Sequence, residues 1–147
     1  MKKAYLLAVL LLATSGISAQ TMIDVIALDK EVMRQTELES IPPWPEGVVL
    51  SGANEHWQKV LHKGNFVVAL YESMPALVDV SYPFPYDEFV TILEGRVILT
   101  STEGEKQTYS VGDSFLVPKG WRGTWDMPEK FREMIIIETK AWDSEEE

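Results

Sequence analysis

The sequence contains no cysteine and only two histidines. Without cysteine the chain can form no disulfide, no thiolate zinc site, no iron–sulfur cluster and no cysteine nucleophile. Positive charge is also scarce, because 13 Lys and Arg stand against 23 Asp and Glu, for a net charge of −10. Nucleic acids and anionic membranes attract positive surfaces, so this charge predicts that neither is a partner. A chain of 147 residues with 46% hydrophobic content predicts one globular domain.

One long apolar run is present, and it lies at the N-terminus. Lys2 and Lys3 precede an apolar segment, 4–13, and small or polar residues follow as far as Ala19. This three-part pattern is typical of a secretory signal peptide over residues 1–19, with cleavage after about Ala19. The run is shorter than the roughly 20 apolar residues that span a bilayer. We therefore expect a periplasmic or secreted protein with no membrane attachment after cleavage, and a mature net charge near −12 because two lysines are lost.

The rest of the chain divides into an N-terminal arm or strap over 20–59, a main domain over 60–140 and an acidic tail over 141–147. Residues 24–38 could form a short helix or an extended arm. The segment 41–45 contains three prolines, which fix the backbone and remove donors, so it cannot be helical and predicts a rigid strap. The acidic residues at the C-terminus are expected to be solvated.

From about residue 64 the pattern predicts β-structure. Short runs rich in Val, Ile, Phe, Tyr and Thr recur, each bounded by Gly, Pro or Asp. No helical pattern separates these runs, so a parallel α/β fold is not expected. About eight short strands with close turns predict an all-β sandwich or small barrel. The predicted strands are 66–71, 77–82, 88–93, 96–101, 106–110, 114–117, 123–125 and 132–139.

Two short motifs resemble those of the cupin superfamily. The stretch 87–95 resembles the second half of the first cupin motif, in which a glutamate is followed after six residues by a glycine. The stretch 112–120 resembles the second motif, and 121–125 is similar to small single-domain cupins related to the cupin domain of (S)-ureidoglycine aminohydrolase. The resemblance covers about residues 60–137. It implies an all-β double-stranded β-helix, or jelly roll, and a homodimer. The matching motif residues are Glu88, Gly95, Gly112, Pro118 and Gly120.

The metal-binding histidines of those motifs are missing. The first motif normally has His-x-His before the glutamate, and the second normally has a histidine at the position of Gly123. In place of His-x-His this chain has Ser81 and Pro83 or, in a shorter spacing, Tyr82 and Phe84. Of the four expected ligands only Glu88 remains, whereas catalytic metal sites generally need about three protein ligands. We therefore predict no metal and no other cofactor.

Glu88 is the candidate catalytic residue and ligand anchor. Strand alternation places Glu88, Val90 and Ile92 on one face, so Glu88 faces the barrel interior near its mouth if Val90 and Ile92 are buried. A carboxyl group there must find hydrogen-bond donors or take a raised pKa.

Aromatic residues complete the predicted site, since an apolar pocket with a few polar groups is the usual form of a small-molecule site. Gly123 is expected to leave a gap between the rings of Trp121 and Trp125. The predicted ligand-binding set is Glu88, Tyr82, Phe84, Tyr86, Trp121, Gly123 and Trp125.

Three functions remain open. The first is a metal-free, exported cupin that binds a small organic molecule, for which the resemblance makes a nitrogenous or sugar-like ligand conceivable. The second is a hydrolase, lyase or isomerase that uses Glu88 as acid/base, or a metal held by unusual ligands. His56 and His62 are the only histidines for such a site, and we expect both to be surface or loop residues. The third is a non-catalytic dimeric interaction module with a filled barrel.

Overall fold

The computed structural model describes residues 24–145, and most of them lie in β-strands. Two short helices flank eleven strands. In chain order the elements are α1 (Lys30–Gln35), β1 (Glu39–Ser40), β2 (Val49–Gly52), β3 (His56–Lys63), β4 (Phe66–Ser73), β5 (Ala76–Val80), β6 (Glu88–Glu94), β7 (Arg96–Ser101), β8 (Lys106–Ser110), β9 (Ser114–Val117), β10 (Gly123–Met127), β11 (Phe131–Glu138) and α2 (Thr139–Glu145). The all-β prediction is confirmed.

The strands form two sheets in which every neighbouring pair is antiparallel. One sheet has six strands in the order β1-β3-β4-β11-β6-β9, and the other has five in the order β2-β5-β10-β7-β8. Successive side chains alternate between the face that meets the other sheet and the opposite face. The side chains between the sheets form the main core, which includes Val67, Ala69, Val90, Ile92, Val97, Leu99, Phe115, Val117, Trp125, Phe131, Ile135 and Ile137.

All eight predicted strands are present, but the sequence did not reveal β1, β2 and β3. They lie largely in the segment predicted to be an arm, and β3 crosses its boundary at residues 59 and 60. The missed strand β3 has a polar, charged sequence because much of it is half-buried or exposed. As predicted, the proline-rich segment 41–45 is not helical. Whether residues 20–59 form a separable unit stays a prediction.

Both motifs contain turns whose backbone conformation only glycine accommodates well. Gly95 links β6 to β7 with a φ of +73°, and a Cβ there would overlap the carbonyl oxygen of Lys130. Gly112 and Gly120 also have positive φ, at 93° and 91°. Side chains other than hydrogen disfavour this left-handed region. The motif glycines are therefore explained by backbone geometry.

Helix α1 covers the outer face of the six-stranded sheet. Asp29 caps it by accepting hydrogen bonds from the amides of Glu31 and Val32 at 2.9 and 3.0 Å. Met33, 5% exposed, packs into a second apolar cluster with Leu70 and other residues of the outer face. The alternatives for residues 24–38 thus resolve into a short helix between extended segments.

Helix α2 occupies most of the segment predicted to be an acidic tail. Asp143 is exposed as expected, but it forms an ion pair with Lys63 at 2.7 Å. Trp142 is buried in the main core, so the segment is more than a solvated tail. Neither helix in residues 24–145 has the length and apolar character needed to cross a membrane. The predicted signal peptide lies outside the described residues.

Candidate functional site

A cavity of about 460 Å³ lies between the two sheets. It reaches the surface beside Trp44 and Tyr82, which line it and are 42% and 85% exposed. Its walls are mainly apolar and aromatic. The ionisable acids that line it are Asp79, Glu88 and Glu133, and the aromatic residues are Trp44, Tyr71, Tyr82, Phe84, Tyr86, Trp125 and Trp142. No lysine, arginine or histidine of residues 24–145 lines it.

Glu88 is the first residue of β6 and points into this cavity. It pairs across the sheet with Val117 on β9 and Ile137 on β11. Only 6% of its surface is exposed, so the interior position predicted from strand alternation is confirmed. Burial raises the pKa of Glu88 to about 8, because the charged form loses its hydration. Its role as anchor or catalyst stays a prediction.

Glu133, on β11, is a second buried carboxyl group that the sequence reasoning missed. It is 4% exposed, lies between Tyr71 on β4 and Ile92 on β6, and lines the same cavity. Its Oε2 atom has no hydrogen-bond partner among the described residues. Burial, and then the negative charge of Glu88, raise the pKa of Glu133 well above its ordinary value. The sequence did carry a sign of its position. Glu133 and Ile135 are two residues apart in the predicted strand 132–139, so their side chains are expected on the same face.

The backbone positions of Glu88 and Glu133 lie at opposite ends of one stretch of sheet. Glu88 pairs with Ile137, four residues from Glu133, which corresponds to about 13 Å along the strand at 3.3 Å per residue. Val90 and Ile135 pair between them and form an apolar floor. A register shift between Arg132 and Glu133 interrupts the ladder beside the second carboxyl group. Such bulges commonly redirect side chains next to functional sites.

Tyr71 and His56 connect the cavity wall to the strap. The Tyr71 hydroxyl lies 3.1 Å from Nδ1 of His56, and the ring Nε2 donates to the carbonyl of Pro42. Burial raises the pKa of Tyr71 to about 12, and Glu133 and Glu88 add to the rise. His56 is only 4% exposed, so the expectation of a surface or loop histidine is wrong for this residue. It packs under the strap, 5.1 Å from the ring of Trp44.

The aromatic rim is held by the turn of the second motif. Phe84 and Tyr86 pack edge-to-face with ring centroids 5.2 Å apart, and both line the cavity. The Phe84 amide donates to the carbonyl of Trp121 at 2.8 Å, and its carbonyl accepts from the Gly120 amide at 2.8 Å. The Asp87 carboxylate accepts from the Lys119 amide at 2.7 Å. These bonds explain how the motif positions the rim.

Gly123 does not provide the expected gap. It is buried, and a Cβ at this position would overlap the carbonyl oxygen of Thr100 and approach Cη2 of Trp121 to 2.9 Å. The backbone of Thr100 and the indole ring of Trp121 therefore occupy the space in which we expected a gap. Trp121 borders a separate surface depression that also involves Arg122, whereas Trp125 lines the cavity with Glu88. The predicted ligand-binding set is thus split between two places.

The residues present do not fit a metal of the kind that many cupins bind. Within residues 24–145, no three His, Asp or Glu side chains are grouped so that they could hold an ion. Ser81 and Tyr82, at the positions of the first motif, are exposed. Both ring nitrogens of His56 have hydrogen-bond partners. His62 is half-buried beside Phe66 and does not line the cavity.

Two antiparallel sheets that enclose a cavity in this order define a cupin jelly roll. Residues 61–134, half of the chain, match the model of the EutQ-like cupin domain. The chain therefore belongs to the EutQ-like cupin domain family. No curated protein matches it.

Solved structures share the fold at low sequence identity. A DUF861-family protein of unknown function from Pseudomonas syringae pv. tomato is 20% identical with a TM-score of 0.60, over 71% of this chain and only 45% of that one. A putative ethanolamine utilization protein Q from Salmonella typhimurium is 19% identical with a TM-score of 0.51, over 71% and 96%. The polyketide cyclase RemF from Streptomyces resistomycificus is 15% identical with a TM-score of 0.56, over 80% of each chain.

Proposed function

We propose that this protein binds a small organic molecule in the cavity between its sheets, with Glu88 and Glu133 as polar anchors. The cavity of about 460 Å³ carries this proposal, because small-molecule sites in proteins usually measure about 300–1,000 Å³ and combine apolar walls with a few polar groups. The binding needs no metal, since both anchors belong to the chain.

The relatives support the class of function and leave the ligand open. The EutQ-like family and the DUF861 structure supply a fold that hosts many activities. The resemblance of residues 121–125 to the cupin domain of (S)-ureidoglycine aminohydrolase is compatible with a nitrogenous or a sugar-like ligand. The aromatic walls also suit the kind of ring-containing molecule that a polyketide cyclase, as one structural neighbour is named, would handle.

A thermal-shift screen of small molecules tests the proposal with a matched pair of variants. Val80 lines the cavity, and Val80→Phe would reduce its volume. Val60 lies on β3, is 42% exposed and does not line the cavity, so Val60→Phe is the control. We expect binders to raise the melting temperature of the wild type and of Val60→Phe, but not of Val80→Phe. A screen without binders, or binders indifferent to Val80→Phe, would count against the proposal.

Acid–base catalysis is the second candidate, and the two raised carboxyl pKa values favour it. A group with a pKa near the working pH both accepts and donates protons effectively, and burial raises the pKa of Glu88 to about 8. One carboxylate would remove a proton from the bound molecule while the other carboxylic acid returns one to a second atom, as in a lyase or isomerase. Glu88→Gln and Glu133→Gln should then abolish turnover of a bound compound without abolishing its binding.

Export completes the proposal for cellular location. The N-terminal pattern of two lysines, an apolar run and small residues supports cleavage after about Ala19. Mass spectrometry of the protein recovered from the periplasm or medium should find a chain that begins at Gln20. Recovery of protein that retains Met1 would contradict this part.

A homodimer is the proposed assembly. β9 is an edge strand of the six-stranded sheet. Leu116 on β9 and its cross-strand partner Phe89 are 60% and 39% exposed and form an apolar outer pair. Light scattering should give twice the chain mass, and Leu116→Lys should weaken the association. A monomer at micromolar concentration would contradict the proposed assembly.

A further inference from the structure

We infer that the ligand carries a protonated amine, which binds between Glu88 and Glu133 and against the aromatic walls of the cavity. This inference rests on the proposed binding function and specifies the class of molecule.

The charges that line the cavity have one sign. Its ionisable acids are Asp79, Glu88 and Glu133, and no basic side chain of the described residues lines it. Asp79 accepts a hydrogen bond from the Ser81 hydroxyl at 2.7 Å. The remaining titratable groups that face the cavity are Tyr71, Tyr82 and Tyr86, which carry no positive charge in any state. An anionic ligand would therefore find no positive side chain to pair with, whereas a cation would stabilise the ionised form of the carboxyl groups and favour release of their protons.

The cavity also contains a buried carboxyl oxygen that lacks a hydrogen-bond partner among the described residues. Glu133 is 4% exposed, and its Oε2 atom has no partner within the part of the chain that the structure describes. Buried polar atoms without partners are rare in folded proteins, and each calls for an explanation. A protonated amine supplies an N–H donor and a positive charge together, which gives the shorter and stronger charge-assisted bond.

The walls of the cavity suit a cation as well. Trp44, Tyr71 and Trp125 are among the aromatic side chains that line it. The faces of such rings attract ammonium groups through their quadrupole, most strongly when water is excluded. Cages of aromatic rings and carboxylates are a general solution to the recognition of organic cations.

The same sheet shows how this chain treats a buried carboxylate that has only a structural task. Glu72, next to Tyr71 on β4 but on the outer face, is 8% exposed and receives two bonds from Arg132, at 2.7 and 2.6 Å. Lys130 lies 3.2 Å from the same oxygen. Glu133 is the next residue to that arginine, and no cation of residues 24–145 pairs with it. The missing positive charge on the inner face is therefore assigned to the ligand.

Three probes of similar size separate the possibilities: benzylamine, which is protonated at pH 7 and serves as the ammonium probe, benzyl alcohol and benzoate. Calorimetry at pH 7 in two buffers of different protonation enthalpy measures both affinity and proton release. We expect the ammonium probe to bind about tenfold more tightly than the alcohol, because it adds ionic and cation–π attraction. Benzoate should bind more weakly still. The ammonium probe is already protonated at pH 7 and keeps its proton beside carboxyl groups, so protons released on its binding come from the protein.

The double variant Glu88→Gln/Glu133→Gln should lose the preference for the cation and release no protons. Glu103→Gln, in an exposed turn, is the matched control and should behave as the wild type does. If benzyl alcohol or benzoate binds as tightly as the ammonium probe, and Val80→Phe blocks that binding, the inference is wrong while the proposed function stands. If the screen finds neutral binders but the ammonium probe does not bind, the inference is also wrong. If nothing binds in the cavity, the proposed function fails as well.

Discussion

Two faces of the same pair of strands treat buried carboxyl groups in opposite ways. On the outer face Glu72 of β4 is paired with Arg132 of β11. One residue away on each strand, on the inner face, Tyr71 and Glu133 line a cavity to which the described residues contribute no basic side chain. Both carboxyl groups are almost completely buried. The two carboxyl groups differ in their partners: within residues 24–145, Glu72 is paired with cations and Glu133 is not.

The outer arrangement also fixes helix α1. The Nη1 atom of Arg132 donates to the carbonyls of Met33, Arg34 and Thr36 at 2.9, 2.6 and 3.0 Å. These carbonyls lie at the C-terminal end of the helix, where backbone acceptors lack intrahelical partners. One guanidinium group therefore joins two strands and a helix. The carboxyl group that the protein compensates joins elements of the fold, and the one without a protein cation is the group to which we assign the proposed ligand.

The largest effect should come from removing the cation of the outer face. Arg132→Met leaves Glu72 buried with only Lys130 nearby and removes three bonds to the end of α1. Breaking a buried pair from one side typically costs about 3–5 kcal/mol, because the remaining charge is left unpaired. Urea unfolding at constant pH measures this loss of the free energy of unfolding.

Arg96→Met is the matched control for that variant. Arg96 is about half exposed and lies 3.6 Å from Glu129 on the surface, so its replacement should cost about 1 kcal/mol or less. Equal losses for the two arginine variants would mean that the outer pair contributes no more than a surface ion pair.

The inner face should make stability depend on pH in the opposite sense to an ion-paired carboxylate. The folded-state pKa of Glu88, about 8, lies above the ordinary value of 4.5, and that of Glu133 is also raised. The folded protein therefore binds more protons than the unfolded chain in this interval, and stability falls as pH rises from about 5 to 8. At about 1.4 kcal/mol for each unit of pKa shift, the Glu88 shift corresponds to roughly 5 kcal/mol in full, of which about 3–4 kcal/mol is lost between pH 5 and 8.

Urea unfolding at pH 5, 6, 7 and 8 measures that slope for the wild type, for Glu88→Gln/Glu133→Gln and for the exposed control Glu103→Gln. The double variant should show a much flatter profile, whereas the control should retain the slope of the wild type. A wild-type slope that survives in the double variant would place its origin in other groups.

The C-terminal helix offers a third test, because Trp142 closes the inner face much as Met33 of α1 covers the outer one. Trp142 is 8% exposed and lines the cavity. Trp142→Ala should cost about 2–3 kcal/mol, somewhat below the usual range for a buried tryptophan because a terminal helix can readjust. It should also enlarge the cavity, so that bulkier compounds raise the melting temperature. No change in stability would show that the helix is dispensable to the core.

The smallest effect should come from the neighbouring residue. Asp143→Asn removes the ion pair with Lys63, whose members are 54% and 44% exposed in their side chains. Exposed pairs contribute about 0–1 kcal/mol. Chemical unfolding of Asp143→Asn beside Trp142→Ala therefore separates surface charge from core packing within one helix. A loss for Asp143→Asn as large as that for Trp142→Ala would refute this division.

Local pattern accounts for what the sequence alone could establish. Alternation within one strand predicted that Glu88 lies inside with Val90 and Ile92, and all three are buried. Turn residues separated the eight strands from residue 66 onward, and glycines such as Gly95 occupy positions where positive φ is required. These features depend on residues a few positions apart, so they can be read without knowledge of the tertiary structure.

Tertiary structure alone decided the composition of the site. Arg132 and Glu72 are 60 residues apart, and only the register of β4 against β11 brings them together. The same register aims Glu133 at the cavity, where no cation from the described part of the chain pairs with it. The burial of His56 depends on the strap that folds back over β3, and the absence of a gap at Gly123 depends on the carbonyl of Thr100 on the neighbouring strand. Contacts between distant segments follow from strand order and register, which no local pattern specifies.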